Sequence, residues 1–177
     1  MKRIFPFLFL LIAMFGVVLP LYAQKDKAKR VSPPVSVSQT IDGLKIDLDY
    51  SQPSVKGRSI GKDLEPLPGK VWRTGANEAT VIGISGDALI NGQKLPAGKY
   101  ALFSINNGNS WTFIFNKTAK QWGAFNYKES EDALRIDVEG EKTEAFSEKL
   151  VMNIDSAGNF TLLWGDKKAS FTIKPAK

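Results

Sequence analysis

Neither cysteine nor histidine occurs among the 177 residues. Without cysteine there is no disulfide, no thiolate nucleophile, no lipid-modified N-terminal cysteine and no thiolate metal site. Without histidine there is no imidazole base, no Ser-His-Asp triad and no His-ligated zinc or haem. Most familiar hydrolase and metalloenzyme schemes are thereby closed. Carboxylate pairs, lysine or tyrosine chemistry and hard cations held by oxygen stay open. No cofactor, no metal-ligand set and no catalytic residue is read from the chain. Asp155-Ser156-Ala157-Gly158-Asn159 lacks the spacing of a calcium loop and reads as a turn. A sustained helical period and an internal repeat are missing too.

Positive charge is only mildly in excess. The 24 cations and 18 anions give a net charge of +6. Lys2 and Arg3 belong to a leader, so 24 − 2 leaves 22 cations against 18 anions, or +4. That excess is scattered, whereas phosphate binding needs cations gathered on one face, so no nucleic-acid partner is expected. The densest run, Lys25-Asp26-Lys27-Ala28-Lys29-Arg30, reads as a solvated spacer.

Residues 1–23 have the form of a secretory signal. Lys2 and Arg3 precede the uncharged apolar run Ile4 to Leu19, and Ala23 offers a small residue before a cut. The alternative is an uncleaved membrane anchor. Nothing later resembles a span, so no stable membrane insertion is expected after cleavage. The expected location is exported, periplasmic or extracellular. Residues 24–34 read as a linker and residues 35–177 as a single domain. Nothing in the sequence sets an oligomeric state.

What fills that domain is hydrophobicity of period two. Val35 to Ile41 and Leu44 to Tyr50 alternate around Asp42-Gly43, the clearest hairpin signal in the chain. Residues 50–69 are punctuated by proline and glycine, and a connection of that length is often functional. Ala79 to Ser85 reads as a strand, and Asn91-Gly92 joins two short ones. Lys99 to Ile105 is another. Trp111 to Phe115 is apolar on both faces and is expected to be central. Lys117 to Trp122 suggests a helical turn. Leu134 to Glu139, Leu150 to Ile154, Phe160 to Trp164 and Phe171 to Ile173 follow. Glu141 to Phe146 is an expected edge and Asp166-Lys167-Lys168 an expected turn. About ten short strands with at most one short helix predict an all-β fold, an antiparallel β-sandwich that is jelly-roll-like or a partly closed barrel.

Lys70-Val71-Trp72-Arg73-Thr74-Gly75-Ala76-Asn77-Glu78-Ala79-Thr80 is where polar chemistry converges. In an extended course Lys70, Trp72 and Thr74 share one side and Val71, Arg73 and Gly75 the other. Gly75-Ala76 permits a bend that returns Asn77 and Glu78 toward Arg73. One expectation is architectural: Arg73 pairs with Glu78, Asn77 caps the bend and Trp72 fills the core. The other is a cleft lined by Arg73, Asn77 and Glu78, in which arginine's fork of donors meets a ligand.

This run, preceded by Asp49-Tyr50-Ser51-Gln52-Pro53 and followed by Leu95-Pro96-Ala97-Gly98-Lys99-Tyr100 and Gln121-Trp122-Gly123-Ala124-Phe125-Asn126-Tyr127, resembles the exported bacterial family catalogued as domain of unknown function 2911. The resemblance spans essentially the whole mature chain. The family's usual Phe-Gly and Pro-Tyr-Gly are here Ile60-Gly61 and Pro68-Gly69, so that Phe and Tyr carry nothing over. The resemblance implies export and a β fold. It implies no activity and no catalytic residues.

Trp122 beside Gly123, with Asn126 and Tyr127 close by, has the make-up of a sugar-stacking platform, since an apolar ring face matches C–H faces while amides take hydroxyls. Arg58, Lys70, Arg73, Asn77, Glu78, Trp122 and Tyr127 are therefore the candidate ligand-binding residues. The expected function is a non-catalytic binding module for a carbohydrate or a small anionic or peptidic ligand. The alternatives are a glycosidase-like hydrolase using Glu78 with Asp49 or Asp63, and a structural component of an envelope assembly joined through a sheet edge.

Overall fold

The computed structural model describes residues 27–176; the predicted signal, residues 1–23, lies outside them. Nine strands follow in chain order: β1 (Pro34–Ile41), β2 (Leu44–Ser51), β3 (Thr80–Ile84), β4 (Ala88–Ile90), β5 (Gln93–Leu95), β6 (Gly98–Asn106), β7 (Ser110–Asn116), β8 (Asp132–Ile154) and β9 (Asn159–Pro175). They pair antiparallel in one sheet of order β1-β2-β3-β6-β7-β8-β9-β4-β5. Helical structure among the described residues is limited to two three-residue 3-10 turns, Lys27–Lys29 and Glu129–Glu131. The helical turn expected at Lys117 to Trp122 is a loop instead.

The hairpin β1–β2 forms as its residues dictate. Asp42 and Gly43 take positive φ of 46° and 84°, the handedness that matches the twist of the flanking strands. Asn91 and Gly92 do the same between β4 and β5, at 46° and 82°. β7 stands fifth of nine, with both faces buried. Trp111, Phe113 and Phe115 enter the main core, whereas Ile114 joins Ala79, Ala101 and Phe103 in a smaller cluster on the opposite face.

The strands do not divide into two stacked sheets as the sequence suggested. They run as one sheet that does not close. The reason lies in β8 and β9, 23 and 17 residues long, which continue through the polar stretches read as an edge and a turn. Register shifts around Ser147 let β8 bend without ending, and Gly165 at φ 63° does the same for β9. Rings of strands that are not neighbours consequently meet: Phe113 of β7 lies 5.0 Å from Phe171 of β9. After β2 the chain touches β8 around the isolated bridge Ser54–Lys149, with Leu150 N–H donating to Pro53 O at 3.0 Å and Val55 N–H to Glu148 O at 2.8 Å.

Candidate functional site

The central motif is built from the core outward. Trp72 exchanges two backbone hydrogen bonds with Ser104 of β6, at 2.8 and 2.9 Å. Its ring is buried, and its indole N–H donates to Gly75 O at 3.0 Å. Thr74 is buried beside it and donates from Oγ1 to Ser104 Oγ at 2.9 Å. The bend does not rest on Gly75 as a left-handed residue. Thr74 and Asn77 take the positive φ, 50° and 59°. Gly75 sits in a tight place instead: a Cβ there would stand 3.1 Å from both Ser51 O and Thr80 Oγ1, so these neighbours would have to give by a few tenths of an ångström.

Past the bend, residues 77–79 lie alongside the loop of residues 121–123. Ala79 N–H donates to Gln121 O and Gly123 N–H to Asn77 O, both at 3.0 Å. Glu78 and Trp122 are thereby partners in an isolated antiparallel bridge. The loop is anchored by Asn116, fully buried, whose Nδ2 donates to Lys128 O at 3.0 Å and Asp132 Oδ1 at 2.8 Å. Trp122 itself is 54% exposed.

The expected Arg73–Glu78 pair does not form. Arg73 Nη1 faces Glu65 Oε2 at 3.2 Å. That contact is an offset charge pair without hydrogen-bond alignment, since Glu65 Oε2 and Arg73 Nε are both buried without a hydrogen-bond partner. Glu78 is met from the N-terminal side. Arg30 Nη1 donates to Glu78 Oε2 at 2.7 Å, and Lys27 Nζ lies 3.5 Å from Oε1. The Arg30 guanidinium also lies 5.9 Å from the Trp122 ring centroid, within cation–π range. Burial pushes the Glu78 carboxyl up, but the Arg30 hydrogen bond, the residue's own backbone N–H and the Lys27 and Arg30 charges outweigh it and hold it below the usual value. The stretch read as a solvated spacer thus supplies Arg30 to the site. The two residues are 48 positions apart, and no spacing in the sequence links them.

Together these groups border an open cleft of about 520 Å³. Val35, Tyr50, Ala79 and Val81 give it apolar walls, and Ser36, Asp49, Glu78, Gln121, Arg30 and Lys120 are among its polar members. Asp49 accepts from Ser36 Oγ at 2.5 Å. Gln121 donates from Nε2 to Thr118 O at 2.7 Å, which fixes its amide and leaves Oε1 buried without a hydrogen-bond partner. Burial pushes the Tyr50 hydroxyl up, against a backbone hydrogen bond to Met152.

Of the seven sequence-derived candidates, Glu78 and Trp122 line the cleft. Asn77 lies behind it and donates to Ser32 O at 3.2 Å. Arg73 is engaged with Glu65. Arg58 folds back on its own loop, donating to Ser54 O and Val55 O. Lys70 is exposed and outside the cleft. Tyr127 donates to Asp132 Oδ2 at 2.6 Å and packs on Phe103, and burial followed by that hydrogen bond pushes its hydroxyl well up. Arg30, Gln121, Ser36 and Tyr50 are cleft residues that sequence reasoning did not single out. Among the described residues no group of acidic side chains could hold a metal ion, and no helix is long and apolar enough to cross a membrane.

A family model described as a protein of unknown function (DUF2911) matches residues 32–173. No curated protein and no solved structure matches the chain.

Proposed function

Since the chain belongs to the DUF2911 family, for which no activity is given, we propose on the site's own geometry that it is a non-catalytic module binding a carbohydrate in the cleft beside Trp122. The observation that carries this reading is the half-exposed indole of Trp122 at the border of a cleft that Ser36, Asp49 and Gln121 also line. An indole face packs on the C–H face of a pyranose, while polar side chains beside it take the sugar's hydroxyls. Ser36 and Asp49 add further polar atoms within the same cleft. A small anion is a poorer fit, because two of the cleft's three cations, Lys27 and Arg30, are already engaged by Glu78 and only Lys120 is left to it.

Asp49 and Glu78 border one cleft, which favours a second reading as a carboxylate hydrolase. Glycoside cleavage needs a carboxylic acid able to donate a proton. Glu78 is held ionised by its cations and does not serve as that donor at neutral pH. Export, to the periplasm or the cell exterior, remains part of the proposal, on the strength of the leader sequence.

Calorimetric titration against mono- and oligosaccharides, in parallel for the wild type and Trp122→Ala, tests the reading. Binding by the wild type, lost in a variant that melts normally, is the expected result. Equal binding by both proteins, or none by either, overturns it. Release of reducing ends that disappears in Asp49→Asn would establish the hydrolase instead.

A further inference from the structure

Resting on the carbohydrate reading, we infer that the cleft is one end of a longer groove that takes a linear glycan along the outer face of β1, β2, β3 and β6. A second hollow, of about 250 Å³, shares Ser36, Asp49 and Val81 with the cleft. A third, of about 310 Å³, shares Asp47, Gly83 and Lys99 with the second. Each hollow therefore adjoins the next, and they follow β2 from Ser51 at the Trp122 end to Lys45 at the other. Six residue steps at about 3.3 Å each make roughly 20 Å, room for about four pyranose rings.

The floor of this groove repeats. Across the β1–β2 register Ser36 faces Asp49 and Ser38 faces Asp47. Each serine hydroxyl donates to its aspartate, at 2.5 and 2.7 Å. Residues two apart on a strand share a face, so the two Ser–Asp pairs form a row. The serine protons are used within each pair, so the row itself offers acceptors, with the donors Lys45 and Lys99 beside it. Hydroxyl donors spaced along a chain match that pattern. Lys45, bonded to Asp47 at 2.9 Å, closes the far end.

Gly83 keeps the middle of the groove low. A Cβ there would meet nothing closer than Lys99 Cγ at 3.7 Å, and its backbone is ordinary strand. The site can therefore hold a side chain without backbone strain. A peptide is a less suitable occupant: it would add to the edge of the sheet at β1 through backbone hydrogen bonds, whereas this face presents side chains, the Ser–Asp row and Lys99 among them.

The test is a length series. Oligomers of β-1,4-linked glucose and of β-1,4-linked N-acetylglucosamine, from one to about six units, are titrated into wild type, Gly83→Val and Ser38→Ala/Asp47→Asn. Wild-type affinity should rise at least about tenfold between two and four units, because each added subsite is engaged intramolecularly. Both groove variants, checked for normal melting, should flatten that rise. If the disaccharide binds as tightly as the hexasaccharide, the groove is wrong and the cleft stands. If affinity rises with length but neither folded variant changes it, the chain runs elsewhere and the groove is overturned. If no oligomer of either series binds, the groove and the sugar reading fall together.

Discussion

Arg30 and Glu78, 48 residues apart in sequence, are joined by a 2.7 Å hydrogen bond that closes one side of the cleft. The arginine side chain is 22% exposed and the glutamate 39%, so water screens the pair and its contribution to stability is small. Single and double variants Arg30→Ala and Glu78→Gln should all fold. A double-mutant cycle by urea unfolding should return a coupling of no more than about 1 kcal/mol.

Acid should weaken this contact in a defined window. The folded-state carboxyl of Glu78 lies below its ordinary 4.5. A depressed carboxyl contributes stability that is fully present above the unfolded value and lost as pH falls through the folded one. The stability difference between wild type and Glu78→Gln should thus be constant from neutrality to about pH 5 and shrink below pH 4.5. Chemical unfolding across that range measures it.

The tryptophans separate by burial. Trp72 is 2% exposed and donates to Gly75 O, so Trp72→Ala should cost about 3–5 kcal/mol. Trp122, 54% exposed, should cost under about 1 kcal/mol on truncation. Melting curves of the two variants give the comparison, and only the second is suited to ligand studies.

Thr74 is a β-branched residue at φ 50° whose hydroxyl bonds Ser104 inside the protein. Thr74→Val keeps the shape and removes the hydrogen bond, leaving a buried serine hydroxyl without this partner. The expected loss is about 1–3 kcal/mol, read from denaturant midpoints.

Gly158 turns the chain between β8 and β9 at φ 86°, and a Cβ there would stand 2.2 Å from Ile173 O. Gly158→Ala should destabilise by more than about 1 kcal/mol. Gly43 has a similar φ of 84° but open space around it. Gly43→Ala should therefore lose less, since it meets the backbone strain without the collision.

The hairpin at Asp42-Gly43 and the central place of β7 were legible because both signals are local, a turn dipeptide and a strand apolar on both faces. The polar runs Glu141 to Phe146 and Asp166 to Lys168 misled for a physical reason. They look like breaks, yet strands exposed on the outside of a bent sheet carry the same residues, and β8 and β9 run straight through them. Glu78 and Trp122, singled out in the sequence by the residues around them, both line the cleft. Arg30 was missed because a cation in a basic run has no pattern that names its distant partner. Arg73 was assigned the wrong acid, since Glu65 reaches it from the preceding loop.

The sequence by itself determined the strand periodicity, the buried faces, most of the turns and the exclusion of thiol and imidazole chemistry. These follow from side-chain type and from spacing of one or two residues. Tertiary structure alone decided that the strands form one open sheet, that Arg30 rather than Arg73 meets Glu78, and that Trp122, Gln121, Ser36 and Asp49 border one cleft. Those outcomes depend on how long strands bend and which loops are stitched together, and contacts across dozens of residues leave no local signature in the chain.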